Sequence, residues 1–191
     1  VVGIDLRPER IALARELGAQ FAVAPHAAAE IRSLTGGRGA DCVIVAAAAK
    51  STAPCSQALE ICADRGRLVI VGAVPIEFPW HEMYMKEIKL FMSRAYGPGS
   101  YDPAYEKRAQ DYPVSFVRWT ENRNMEEFLR LVAAGRVSLG PLVTHRFKIE
   151  DAASAYQAIL EPSAKSLAVV LEYPGSDDAS TAPFAPRRRV E

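Results

Sequence analysis

"VVGIDLRPERIALARELGA", residues 1–19, decides how the rest of the chain is read. Four mostly apolar residues precede Asp5. A turn then leads to Pro8, which suits the first turn of a helix, and Glu9, which favours a helix's positive end. Gly18 is a natural helix stop. The stretch therefore reads as strand, turn and helix, with Ile11, Ala14, Leu17 and Leu13 supplying the apolar face. Asp5 stands where the strand ends. A carboxylate there caps the next helix, meets water, or accepts hydrogen bonds from a nucleotide's ribose. In a doubly wound parallel sheet, a ribose-binding acid ends the second strand, about 20 residues after a first strand and a G-x-G-x-x-G turn. Nothing precedes Asp5 here but one strand.

Strand and helix signals alternate onward. "QFAVA" (20–24) reads as a short strand and "HAAAEIRSLTG" (26–36) as a helix ending at glycine. "ADCVIVAAAA" (40–49) is a continuous apolar run, the pattern of a central parallel strand covered on both faces. A helix is expected over about 52–64, capped by Ser51 or Thr52 and stopped by Gly66, then a strand at "RLVIVGA" (67–73). A short helix is expected near 80–86 and a strand near 87–94. "GPGSYDPAYEKRAQDYP" (97–113) reads as a long loop. "NMEEFLRLVAAG" (124–135) reads as a helix capped by Asn124. "IEDAASAYQAIL" (149–160) reads as the last helix and "SLAVVLEY" (166–173) as the last strand. From Pro174 the small, Pro-rich, charged composition reads as a tail or linker. The expected fold class is α/β: an incomplete doubly wound, Rossmann-like parallel sheet over 1–173 that lacks its first strand and glycine-rich loop.

Bulk properties narrow the function. The 191 residues are 49% hydrophobic, enough for a real core. The 23 basic and 23 acidic residues balance, which argues against a nucleic-acid or membrane partner, and the apolar runs are too short to span a bilayer. No leader is visible. Cys42, Cys55 and Cys62 form no C-x-x-C pair. Cys55 and Cys62 fall on one face of the expected helix, and all three are expected as buried, reduced thiols in a cytoplasmic protein. The chain begins at Val1, inside a strand, so a fragment, a misplaced start or part of a longer chain is expected.

Three separated motifs, in order, carry a resemblance. "GIDLRPERIALARELGA", "GRLVIVGAVP" and "GPLVTHRFKIEDAASAYQAILEPSAKSLAVVLEY" resemble the coenzyme-binding part of the medium-chain dehydrogenase superfamily, the zinc-containing alcohol dehydrogenase relatives. "SRAYGPGSYDPAYEKRAQDYPVSFVRWTENRNMEEFL" resembles a subgroup fused to a Gfo/Idh/MocA-like oxidoreductase domain, which would make the tail a linker. The resemblance implies a hydride transfer between an alcohol or carbonyl compound and NAD, with NADP disfavoured because Asp5 would repel its 2′-phosphate. It implies that Asp5 binds the adenosine ribose, helped by Arg10, and that Leu6 and Ala47 border the adenine. Val71 and Ala73 would lie against the nicotinamide, and the Arg94 and Tyr96 loop would meet its carboxamide through main-chain groups. Each has a plainer reading: Val71 and Ala73 as core, Arg10 as a solvated helix residue, Tyr96 as loop packing. The chain departs from many relatives at "VAAAAK" (45–50), where they carry an acid and a glycine; Lys50 reads as a surface lysine or a phosphate neighbour.

No catalytic or metal residue is assigned in this chain. His145 in "PLVTHRF" reads as structural, and His26 and His81 have no partners at ligand spacing. The family's zinc ligands would lie in a domain outside this sequence, and a zinc-independent quinone reductase-like relative is a variant of the same reading. A homo-oligomer formed through the coenzyme domain is expected. Two rival functions stand beside the dehydrogenase: a non-catalytic assembly or dimerisation module, and an S-adenosylmethionine-dependent methyltransferase, which also places an acid after its second strand. The second lacks its Asn/Asp-Pro-Pro-aromatic motif after 40–49. Without the first strand, the strands beside it would expose two apolar edges or pair with each other.

Overall fold

The computed structural model describes residues 1–174. They fall into two compact units, Val1–Arg136 and a second that begins at Val137. The tail expected from 174 onward lies outside the described residues, apart from Pro174 itself.

The first unit alternates strand and helix: β1 (Val2–Ile4), α1 (Pro8–Glu16), β2 (Phe21–Val23), α2 (Ala28–Leu34), β3 (Ala40–Val45), α3 (Ala53–Ile61), β4 (Cys62–Ile70), α4 (Trp80–Met85), β5 (Lys89–Met92), α5 (Pro103–Arg108) and α6 (Glu121–Ala133). β1 pairs in parallel with β2, with Gly3 opposite Ala22. β3, β4 and β5 form a separate parallel sheet in which Ile44, Val69 and Phe91 share one cross-strand row. Taking β1 and β2 as the second and third strands of a 3-2-1-4-5-6 sheet, and β3 to β5 as the fourth to sixth, the first strand's place falls between β1 and β3. Of the two expected outcomes for those edges, the unpaired one is found: β1 and β3 share no ladder. They are nonetheless held close, because Val2, Ile4 and Val43 all pack on one cluster of Ala28, Ile31 and Ile61 from α2 and α3.

The main core lies on one face of the larger sheet. Val45, Leu68 and Ile70 pack against Cys55, Ala58 and Leu59 of α3, and Phe78, Met83 and Ile88 close the cluster. Lys86 ties α3 down: its ammonium donates to the carbonyls of Leu59, Glu60 and Cys62 at 2.7, 3.2 and 3.0 Å. A cation at a helix C-terminus satisfies carbonyls that have no intrahelical partner.

Several expectations are corrected. β3 ends at Val45 rather than near 49, and it is covered on one face only: Cys42 is exposed and Ile44 is 63% exposed. The continuous apolar pattern predicts cover on both faces, but the second face lacks a covering neighbour within this unit. Cys42 is therefore not a buried thiol. Cys62 is not helical; α3 stops at Ile61, and Cys62 turns to φ −69°, ψ 136° to open β4. β4 consequently starts five residues before Arg67 and reaches it through a register shift opposite Ala40–Cys42. The stretch 97–113 holds a helix, α5, built by Asp102, whose carboxylate accepts the Ala104 N–H at 2.9 Å, and by Pro103 at the first helical position. α6 begins at Glu121, so Asn124 lies inside it rather than at its cap. α1 has no buried residue, although Ala14 does lie 3.4 Å from where a Gly3 Cβ would sit.

In the second unit, β6 (Val143–Lys148) runs parallel to β7 (Ala168–Glu172), and α7 (Ala152–Leu160) connects them after a 3-10 turn at Ile149–Asp151. His145 Nδ1 lies 2.9 Å from the Thr144 hydroxyl, and its ring stacks near Phe147. Arg146 pairs with Glu172 across the strands at 3.0 Å. Among the described residues, no helix is long and apolar enough to cross a membrane.

Candidate functional site

Each of the two sheets in the first unit is parallel, and the carboxyl ends of β1 and β3 meet at one shared cavity, so the strand ends open onto one edge. That edge is where open α/β sheets bind ligands. Seven of the eight candidate residues follow a strand end there: Asp5 and Leu6 after β1, Ala47 after β3, Val71 and Ala73 after β4, and Arg94 and Tyr96 after β5. Arg10 lies in the first turn of α1.

Asp5 is exposed, and its Oδ1 accepts the Arg7 N–H at 2.9 Å. The acid therefore shapes the turn into α1 while a second carboxylate oxygen remains for a ligand. It lines a cavity of about 270 Å³ between the ends of β1 and β3, together with Ile4, Ile44, Ala46, Ala47 and Gln57. Leu6 is 84% exposed and does not line it. Arg10 is half-buried, and its backbone N–H donates to the Arg7 carbonyl at 3.0 Å.

The ends of β3 and β4 are clamped together. The Val71 and Gly72 N–H groups both donate to the Val45 carbonyl at 2.9 Å, and the Ala49 N–H donates to the Ala73 carbonyl at 3.1 Å. The crossing is close: a Cβ on Gly72 would stand only 2.0 Å from the Ala47 carbonyl oxygen. Ala47, Val71 and Ala73 are thus brought to one spot, and all three are exposed rather than core. Lys50 is also exposed.

Beyond β5, the Ser93 N–H donates to the Ile70 carbonyl at 2.9 Å. The Arg94 guanidinium stacks over the Tyr101 ring, 5.6 Å from its centroid. Tyr96 is left-handed at φ 62°, and its carbonyl accepts the Asn124 side-chain amide at 2.9 Å. Asp5 and Ala47 share the cavity; Arg94 and Tyr96 form a separate loop, and Tyr96 lines a second hollow with residues of α6.

Two buried thiols lie away from this edge. Burial pushes the Cys55 thiol up. Burial also raises the Cys62 thiol, with Lys86 pulling it part of the way back. Thiols held in the neutral form are poor nucleophiles and poor metal ligands. Among the described residues, no group of three or more His, Cys, Asp or Glu side chains could hold a metal ion.

Three residues escaped the sequence reading. Gln57 lines the β1–β3 cavity with an Nε2 that is buried and unpartnered. Gly72 makes the β3–β4 crossing possible, and Asn124 pins Tyr96. Only Gly72 carried a sequence signal, as the glycine ending an apolar strand.

Comparison with known proteins shows which family the chain belongs to. The sequence profile described as "Zinc-binding dehydrogenase" matches residues 1–110, more than half of the chain. The chain belongs to the zinc-binding dehydrogenase family. D-xylulose reductase of Saccharomyces cerevisiae is 27% identical over 184 residues, covering 91% of this chain and 44% of that protein. Sorbitol dehydrogenase 1 of the same yeast is 30% identical over 175 residues, covering 82% and 40%. Among solved structures, zinc-dependent alcohol dehydrogenase 2 from Streptococcus pneumonia superposes with a TM-score of 0.68 at 20% identity, over 91% of this chain and 44% of that one. Alcohol dehydrogenase TADH from Thermus sp. ATN1 gives 0.65 at 23%, over 90% and 43%. These likenesses establish the α/β fold. The zinc-binding dehydrogenase chain spans about two fifths of the length of the curated relatives it matches.

Proposed function

We propose that residues 1–173 act as the partial dinucleotide-binding domain of an NAD-dependent, alcohol dehydrogenase-like oxidoreductase. In this reading the domain holds NAD while a hydride passes between the coenzyme and a small alcohol or carbonyl compound. The observation that carries it is Asp5: a carboxylate at the carboxyl end of β1, one oxygen uncommitted to the turn, facing a cavity shared with the end of β3. A ribose fits such a group because its paired hydroxyls donate to carboxylate oxygens. The same charge disfavours a 2′-phosphate, so NAD is preferred to NADP. Arg10 would assist at the ribose, Leu6 and Ala47 would border the adenine, and Val71 and Ala73 would face the nicotinamide. Main-chain groups near Arg94 and Tyr96 would take the carboxamide. Polyols are the favoured substrate class, because D-xylulose reductase and sorbitol dehydrogenases are among the relatives. Zinc, where the reaction uses it, would be held by residues outside this sequence. A homo-oligomer through the coenzyme domain belongs to the same reading: β5 is an edge strand with Phe91 and Met92 exposed.

Saturation-transfer NMR at millimolar coenzyme tests this on the 191-residue chain. Adenosine ribose protons of NAD should take up signal, those of NADP far less, and Asp5→Ala should remove about nine-tenths of the adenosine ribose signal of NAD, as expected for a charge-assisted hydrogen bond. Stronger transfer to S-adenosylmethionine than to NAD would replace the dehydrogenase by the methyltransferase reading. No transfer to any nucleotide, with mass rising with concentration, would favour the assembly module.

A further inference from the structure

The stretch from 93 to 124 is chemically rich, and the proposed function uses only Arg94 and Tyr96 from it. Tyr96 and Gly97 are successive left-handed residues at φ 62° and 90°. A bulky residue at positive φ is strained and persists only where its surroundings hold it there. Three contacts do so. The Gly97 N–H closes a turn onto the Arg94 carbonyl at 3.2 Å, the Glu121 N–H at the start of α6 donates to the Pro98 carbonyl at 2.8 Å, and Asn124 Nδ2 donates to the Tyr96 carbonyl at 2.9 Å. A Cβ on Gly97 would stand 2.8 Å from that Nδ2, so the amide occupies space that only glycine leaves. The base of the pin is fixed as well. Arg123, beside Asn124, donates to the Val117 and Tyr112 carbonyls and pairs with Asp111.

We infer that Asn124 is a positioning residue for the nicotinamide end of the coenzyme: by holding the Tyr96 carbonyl, it orients the Arg94–Gly97 turn whose main chain meets that end. This rests on the proposed NAD reading. The peptide plane between Tyr96 and Gly97 cannot rotate while its oxygen is held by Asn124 and its N–H by the Arg94 carbonyl. The neighbouring main-chain groups are therefore set before any ligand arrives, and a pre-set group avoids an ordering cost on binding. Asn124 itself touches no coenzyme in this assignment.

Asn124→Asp tests it, because the variant keeps the shape and loses the donor. In the saturation-transfer experiment with NAD, Asn124→Asp should lower the nicotinamide proton signals, relative to the adenosine ribose signals of the same sample, at least about fivefold, since it breaks one hydrogen bond at one end of the ligand. Asp5→Ala should do the reverse. Gly97→Ala, which displaces the amide from the other side, should match Asn124→Asp. Parallel loss at both ends, or no loss at either, overturns the assignment. If the unaltered chain shows no transfer to NAD, the NAD reading fails by itself. The pin is then decided by amide exchange: Gly97 exchanging at least about tenfold faster in Asn124→Asp supports it, and unchanged exchange overturns it.

Discussion

Gly72 sets the geometry of the strand ends through the atoms it lacks. The Ala47 carbonyl occupies the place a side chain would take, which lets the loops after β3 and β4 cross and lets Ala49 bond Ala73. Gly72→Ala must push one loop away, and overpacking of this kind costs about 1–3 kcal/mol. Urea unfolding should show that loss without a change in slope; an unaltered midpoint would mean the loops yield freely. Asp5's place at a strand end was legible because it depends on local sequence alone: an apolar strand, an acid, a turn and a proline. Gly72's role depends on a loop some 25 residues earlier, and no local pattern encodes that proximity. Asn124 was misread for a related reason. Asn is a strong cap residue, but Thr120 stands one turn earlier, and the Glu121 N–H finds the Pro98 carbonyl, so the helix starts there.

The 97–113 stretch shows what composition conceals at the scale of an element. Its Pro, Gly and Tyr content reads as loop, yet Asp102 as a cap, Pro103 at the first helical position and Glu106 in the first turn carry a helix-start signal, and α5 forms there. Glu106 accepts the Tyr101 N–H, the Tyr112 hydroxyl donates to Asp102, and Tyr105 stacks on Tyr112. That hydroxyl bond is the largest cause holding the Asp102 carboxyl below the usual carboxylate range, and Asp102 raises the Tyr112 phenol in turn. The two shifts set opposite limits. A lowered carboxylate contributes stability that is present above its unfolded value, about 3.9, and lost as pH falls through the folded one. A raised phenol contributes stability that is full below about 10 and lost as pH rises through the folded value. Tyr112→Phe should therefore be less stable than the parent chain by a constant margin between these limits, with the margin shrinking on both sides. Thermal unfolding from pH 3 to pH 11 checks it, and a margin that does not vary with pH would separate the tyrosine's packing from its hydrogen bond.

Across the whole molecule, the order of strands was legible and the covering of the sheet was not. Alternating signals gave β1 through β5 and their parallel sense, because each element carries its own period and stops. Whether Ile44 is buried depends on what lies against it, and the apolar run reads the same whether or not a neighbour is present. The proposed ribose acid, Asp5, stands at the end of β1, and among the described residues no strand lies between β1 and β3. In a doubly wound sheet that place carries the glycine turn and helix N-terminus that bind pyrophosphate, and the sequence contains no G-x-G-x-x-G. On the proposed reading, this chain would carry a coenzyme's ribose and nicotinamide contacts without its phosphate contacts. Isothermal calorimetry of the 191-residue chain with NAD tests that division most directly. A Kd weaker than about 1 mM, or roughly 4 kcal/mol of binding, is the predicted result. Micromolar affinity would contradict it, because a complete phosphate site would then have to exist within these residues.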